Sequence, residues 1–272
     1  MQLKYLEDVI HKYCHKMAEH ATSIPGKFDK EDIHELRVNY KKLRAFVRLL
    51  QEDPDAGKHL VVADDVKEVY QAGAKVRDRQ LFIDFLYQSF KDPGILVPQF
   101  LSGINKDLFK AKEKLVVAIE EASFKDAEAK LKKSLPSFLH DEAIHRFVHR
   151  KVAAVQLILL SLENDEDLHG IRKHLKDLLY AIKIFEQEWG ISFPIHAWKS
   201  EKALTDITTA LGDYNDLSIA VGFLEDSAII ELPDEEKSVL LSLKEKSCTK
   251  KSVMQAELLN KVRGLRLVSQ FD

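Results

Sequence analysis

Apolar residues recur along this chain at intervals of three and four rather than two, the spacing of helices that turn one face to a core. The spacing predicts helices over about Leu3–Ala21, Glu31–Gln51, Ala56–Phe90, Ile95–Ala122, Lys125–Lys133, Phe138–Ser161, Leu168–Trp189, Ala197–Asp226 and Asp234–Leu267. Breaks are expected at Ile24-Pro25-Gly26, Asp53-Pro54, Asp92-Pro93-Gly94, Leu135-Pro136, Trp189-Gly190 with Pro194, and Leu232-Pro233. Only 10 Gly and 7 Pro punctuate the chain, and none of these breaks leaves a loop long enough to act as a flexible linker. The expectation is an all-α protein.

The chain also resembles itself. Ile10-His11-Lys12-Tyr13-Cys14-His15-Lys16 is matched by Ile144-His145-Arg146-Phe147-Val148-His149-Arg150, at an offset of 134. His34-Glu35-Leu36-Arg37 and Lys41 are matched by His169-Gly170-Ile171-Arg172 and Lys176 at an offset of 135, and Ala74 to Asp78 by Gly212 to Asp216 at 138. Matches that keep their order at a nearly constant offset point to duplication. The reading is a single domain of two tandem repeats, residues 1–135 and 136–272, with the seam near Leu135-Pro136. Each repeat would form a four-helix bundle, and two such bundles related by a pseudo-twofold would enclose a groove or pore where paired motifs face each other.

What would line that groove follows from the helical wheel. With His34 at the origin, Arg37, Lys41, Arg44 and Arg48 fall within roughly 80° of it, at 100° per residue. Leu36, Tyr40, Leu43, Val47 and Leu50 occupy the adjoining face, so the cationic stripe runs beside the buried seam. His169, Arg172, Lys176 and Lys183 take the same wheel positions beside Leu168, Ile171, Leu175, Leu178 and Ile182. Neighbours three and four apart on a helix are about 5–6 Å apart, so like charges in this pattern repel unless solvated, paired with acids or matched to a polyanion. Solvated faces and surface ion pairs are the ordinary use of such residues; the same His-x-x-Arg-x-x-x-Lys spacing in both halves favours an anion site. Arginine forks and lysine point charges suit phosphate oxygens.

Composition narrows the ligand. The 41 Lys and Arg are outnumbered by 44 Asp and Glu, for a net charge of −3, so an anion site must be a local concentration of cations and not a general nucleic-acid coat. No long uncharged apolar run exists and the start, Met1 to Tyr13, is charged throughout, which leads to the expectation of no membrane span and no signal peptide. Cys14 and Cys248 form no framework and suit a reducing compartment. A cytoplasmic location is expected.

Catalytic patterns are weak by comparison. His11/His15 and His145/His149 are i, i+4 pairs, but Arg146 stands where a zinc protease needs Glu. His140-Asp141 resembles the dyad of helical metal-dependent phosphohydrolases, yet it opens a helix at the repeat seam, where Asp is an ordinary cap. Neither a Gly-x-Ser-x-Gly elbow nor a Gly-rich phosphate loop occurs. Trp189, Trp198 and the phenylalanines read as core and not as a base-stacking platform. No enzyme activity, cofactor or metal is expected.

Taken together, these residues resemble the CHAD family, the conserved histidine α-helical domain. His34-Glu35-Leu36-Arg37-Val38 through Lys41-Lys42-Leu43-Arg44 is close to its His-x-x-Arg-hydrophobic-x-x-basic-basic-x-Arg helix. His169 to Tyr180 keeps the His, Arg, Lys and closing Tyr of the second repeat, and Leu211-Gly212-Asp213-Tyr214-Asn215-Asp216 resembles the Leu-Gly-x-hydrophobic-Asn-Asp signature. The resemblance implies a pair of four-helix bundles with a basic central groove that binds inorganic polyphosphate, often on polyphosphate granules; the charge spacing by itself leaves single-stranded nucleic acid as a weaker cross-ligand. Carried over residue by residue, it implies contacts from His34, Arg37, Lys41, Arg44, His169, Arg172 and Lys176, extended by Arg48 and Lys183, with Lys16 and Arg150 as additions on the preceding helices. Asp78 and Asp216 would cap helices or pin basic side chains. Asp177 and Leu179 stand where the family commonly has two basic residues, which implies a weaker second half. The alternating-glutamate strand of a triphosphate tunnel domain is absent, so the stand-alone form is expected. Two other readings stay open: a helical phosphohydrolase acting on polyphosphate or nucleotides, and a basic scaffold that docks an acidic protein segment.

Overall fold

The structure, a computed structural model, describes residues 1–162, 164–193, 201–225 and 229–264. Its helices are α1 (Leu3–Lys27), α2 (Lys30–Leu50), α3 (Asp64–Ser89), α4 (Pro93–Leu96), α5 (Pro98–Glu121), α6 (Phe124–Lys133), α7 (Asp141–Leu160), α8 (Asp165–Lys183), α9 (Glu201–Phe223) and α10 (Asp234–Arg263). A π-helical turn, Ile184–Glu188, continues α8. Among the described residues there is no strand, only an isolated antiparallel bridge between Gln2 and Phe138. The expected all-α fold is what forms. The expected helix ends at Ala197, Asp226 and Leu267, together with Pro194 and Trp198, lie outside the described residues.

Local chemistry explains where the helices depart from their expected ends. α1 runs through Pro25 to Lys27, six residues beyond the expected end. Proline removes one hydrogen bond near a helix terminus, and burial of Ala21 and Ile24 holds the last turn in place. Phe28 then turns into the left-handed region (φ 48°), donating its N–H to Ile24 O at 2.7 Å while its own carbonyl accepts from Gln80 Nε2 at 3.0 Å. Asp29 caps α2 by accepting from the backbone N–H groups of Glu31 and Asp32.

The helix expected from Ala56 begins only at Asp64, because tertiary contacts take up the backbone before it. Gly57 N donates to Ser134 O at 3.0 Å, and a Cβ on Gly57 would meet Ser134 at 3.1 Å, so this close approach favours glycine. Gln51 Nε2 donates to Leu60 O at 2.7 Å. Pro98 divides the expected Ile95–Ala122 helix into α4 and α5, and the buried Glu236 of α10 accepts from the first-turn N–H groups of Gln99 and Phe100, each at 3.1 Å.

Packing pairs α1 with α2, α3 with α5, α7 with α8 and α9 with α10, while α2 lies against α8 and α3 against α9. The largest hydrophobic cluster joins α1, α2, α7 and α8, with Phe46, Phe147 and Phe185 at its centre. A second gathers Phe82, Phe100 and Leu240 from α3, α5 and α10, and a third packs the end of α1 against α2, α3 and α5. The N-terminus is stitched to the segment between α6 and α7: Leu3 N donates to Ser137 O, Leu139 N to Met1 O, and the Met1 ammonium to Leu139 O. No helix among the described residues is long and apolar enough to cross a membrane.

Candidate functional site: a basic cavity between α2, α3, α8 and α9

α2 and α8 bury one stripe each, so the cations on the flank of each stripe are carried to the same place. A cavity of about 340 Å³ lies there. His34, Arg37, Lys41 and Arg44 of α2 line it, facing His169, Arg172 and Lys176 of α8. α3 adds Tyr70, Arg77 and Asp78, α9 adds Asn215 and Asp216, and α8 also contributes Lys173, Asp177 and Tyr180. Gly73 of α3 faces the Arg37 side chain, and Gly212 of α9 faces Arg172 in the same way.

Aromatic rings hold the arginines. Tyr40 and Tyr70 stack at 4.2 Å between centroids, with the Arg44 guanidinium 5.7 Å from each ring and that of Arg37 5.1 Å from Tyr70. Such contacts orient a guanidinium while leaving its N–H groups for another acceptor. The Nε atoms of Arg44 and Arg172 are buried and have no hydrogen-bond partner. Unpartnered buried donors cost free energy unless something accepts from them.

Charge crowding is severe. Burial, reinforced by Arg37, Arg172, Lys176 and Arg44, pulls the Lys41 ammonium down to about 7. Burial together with Arg172 and Lys183 pulls Lys176 down to about 8. His34 is held below its usual value by burial and then by the Arg77 charge. His169 is lowered by burial and by Lys173, although a bond to Asn215 Oδ1 at 3.1 Å favours its charged form. On the Asp78 carboxyl, burial and the neighbouring Asp216 outweigh Arg37, so its pKa rises. The cavity as it stands concentrates positive charge at the cost of its own ionisation.

The remaining predicted contacts lie elsewhere. Arg48 donates to Asp177 Oδ2 at 2.8 Å and lines a neighbouring pocket with Tyr40, Arg44 and Lys67. Arg150 pairs with Glu52 at 2.8 Å on the surface. Lys183 and Lys16 both bear on Lys42, whose pKa falls through burial and then through their charges, so these three form a second cationic group outside the cavity lining. Asp141 sits in the first turn of α7, where the capping residue is His140 and makes no side-chain cap. His140 instead gives its backbone N–H to Asp53 Oδ2 at 2.9 Å and sets its imidazole Nδ1 3.0 Å from the same oxygen. Among the described residues, Asp53, Asp55 and His140 form the one group close enough to share an ion, and their mutual bonds already tie the end of α2 to the start of α7. His11 and His15 stack on α1, with His11 bonded to Glu128.

Arg77 lies inside the repeat match, but neither it nor Lys173 is among the contacts expected from the sequence. Arg77 stands where the second repeat has Asn215, and the mismatch of a cation with an amide hid it. Lys173 lies only about 40° from His169 on the wheel, but its counterpart in the first repeat is Val38, so the repeated spacing did not select it. Tyr40 falls on the apolar face of its wheel, which describes its ring but not the cation beside it, and Tyr70 carries no signal in the sequence.

The CHAD domain family profile matches residues 8–225. Among solved structures, the crystal structure of the CHAD domain from the plant Ricinus communis superposes with a TM-score of 0.72 at 14% identity, covering 98% of this chain and 93% of that one. No curated protein matches. With the family profile spanning most of the chain and the superposition covering nearly all of it, the protein belongs to the CHAD domain family.

Proposed function

We propose that this protein binds inorganic polyphosphate, without turning it over, in the cavity between α2, α3, α8 and α9. The observation that carries the reading is the gathering of cations from both halves of the chain around one space, where burial first and the neighbouring cations second pull Lys41 down to about 7. A string of phosphates resolves that crowding. It accepts from the unpartnered Nε atoms of Arg44 and Arg172, and it returns to Lys41 and Lys176 the negative environment in which an ammonium is stable. Each charge-assisted contact contributes roughly 1.5–3 kcal/mol. Helix pairing supports the tandem-repeat reading, since α1, α2, α3 and α7, α8, α9 bring corresponding segments to corresponding places. The family resemblance implies the same ligand, and with it a cytoplasmic protein associated with polyphosphate granules.

Calorimetric titration with long-chain polyphosphate at low and moderate salt tests this, with orthophosphate and single-stranded DNA as comparisons. The expected result is tight binding that weakens steeply with salt, by analogy with nucleic acids, and favours polyphosphate over DNA at matched charge. Equal binding of DNA would make the cavity a general polyanion or acidic-segment surface. Orthophosphate released on adding divalent metal would replace binding with hydrolysis.

A further inference from the structure

One carboxylate in the basic cavity is not placed like the others. Asp177 of α8 is almost wholly buried, at 3% exposure, and lines the cavity next to Lys176. Its Oδ2 accepts from Arg48 Nη1 of α2 at 2.8 Å and from Lys151 Nζ of α7 at 2.6 Å. His174 lies in the same group, its Nδ1 buried without a partner, its pKa lowered by burial and by Lys151. An oxygen that accepts from a guanidinium and an ammonium together does what a phosphate oxygen would do there. Beyond it lies the pocket of about 270 Å³ that shares Arg44 and Tyr70 with the basic cavity and carries Arg48 and Lys67. Side-chain exposure of Arg48 is 39%, so burial does not keep it from a ligand; its bond to Asp177 does.

We propose that Asp177 is an internal counter-ion that ends the phosphate track at Arg44 and Lys176, holding Arg48 and Lys151 back from a bound polyanion. The inference rests on the polyphosphate reading above. It makes Asp177 a specificity-determining residue: the chain fills the cavity and stops, instead of running on past α2 into the neighbouring pocket. Replacing the carboxylate with an isosteric amide removes the negative charge that claims both cations and opens the track by one or two phosphates.

The experiment titrates wild type, Asp177→Asn, Arg48→Met and the double variant with long-chain polyphosphate and with tripolyphosphate over a range of salt. Asp177→Asn is expected to bind the long chain more tightly and to steepen the dependence of log Kd on log salt by roughly 0.7 per cation released to the ligand, the slope for single strands. Tripolyphosphate, too short to reach past Lys176, gains little. Arg48→Met alone leaves wild-type affinity and slope unchanged, and in the double variant it removes Arg48's share of the gain, leaving only what Lys151 supplies. An equal gain for both ligands would reduce Asp177 to general electrostatics and overturn the inference, as would a loss of affinity in Arg48→Met comparable to that of a cavity arginine. The Arg48→Met arm stands even if Asp177→Asn does not fold, because Lys151 still pairs with Asp177. Failure of the wild type to bind polyphosphate sinks the underlying reading, whereas wild-type binding with no change in any variant sinks only this one.

Discussion

Affinity for polyphosphate should fall as pH rises from 7 to 9, in the range where an ordinary lysine would stay charged. The free protein holds Lys41 near 7 and Lys176 near 8, while their unburied value is 10.5. Bound phosphate replaces a neighbourhood of cations with anions, so both ammonium groups keep their protons in the complex. Between pH 7 and 9 the protonated fraction of Lys41 in the free protein drops about 50-fold and that of Lys176 about ten-fold, an upper limit of about 500-fold in affinity if both must be charged to bind. At pH 8 binding should take up about 1.4 protons, about 0.9 at Lys41 and 0.5 at Lys176. Calorimetry in two buffers of different ionisation enthalpy reads that number directly. Backbone phosphates stay ionised throughout, and any proton that His34 or His169, held below their usual values in the free protein, takes up in the complex adds to that number. Lys41→Met should cut the pH 7 to 9 span to about ten-fold and the uptake to about half a proton. Affinity that is flat from pH 7 to 9, or binding without proton uptake, would refute the claim that Lys41 and Lys176 are uncharged reserves awaiting an anion.

Reversing charge on each side of the cavity, with Arg37→Glu and Arg172→Glu together, removes at least two charge-assisted contacts and should weaken polyphosphate binding by about 10²- to 10⁴-fold with helicity unchanged by circular dichroism. Lys41→Met should raise the thermal midpoint of the ligand-free protein below pH 10, because a lysine whose folded pKa is depressed loses stability as pH falls from 10.5 through 7; the midpoint of the wild type should accordingly climb between pH 7 and 10. Asp53 is pushed up by burial but pulled further down by bonds from His140 and Asp55, so it stabilises the fold above its ordinary value of 3.8 and that contribution fades as pH drops below it. Urea unfolding of Asp53→Asn should show a loss of about 1 kcal/mol at pH 7 and a flatter response to acid than the wild type. Phe46→Ala, at a fully buried ring in the largest cluster, should lower stability by about 3–5 kcal/mol in the same assay.

Helix α2 shows how much a local pattern can carry. Its apolar stripe of Leu36, Tyr40, Leu43, Val47 and Leu50 is buried as the three-and-four spacing required, and the cations beside it sit on the rim of that stripe. The wheel could not say where Arg48 would point, since one more turn takes it past Lys176 to Asp177 on a different helix. The segment before α3 shows the opposite case. Ala56 and Gly57 fit a helical period, but a backbone bond from Gly57 to Ser134 and the Asp53–His140 contact belong to chain nearly 80 residues or more away. No local spacing reports a hydrogen bond over that distance.

Local spacing thus accounts for the class of each segment and the chemistry on its flanks: a succession of helices, and a His-x-x-Arg-x-x-x-Lys stripe on α2 and again on α8. Those follow from periodicity, which is a property of a few neighbouring residues. Which cations share one cavity and which are already paired depends on how the helices pack. Helices α2, α3, α8 and α9 had to meet before Arg77 and Lys173 could join the site, before Lys41 could be crowded toward neutrality, and before Asp177 could claim Arg48 and Lys151. Charge is written residue by residue, but its energy depends on burial and on the distance to charges far away in the chain, and those exist only once the helices have packed.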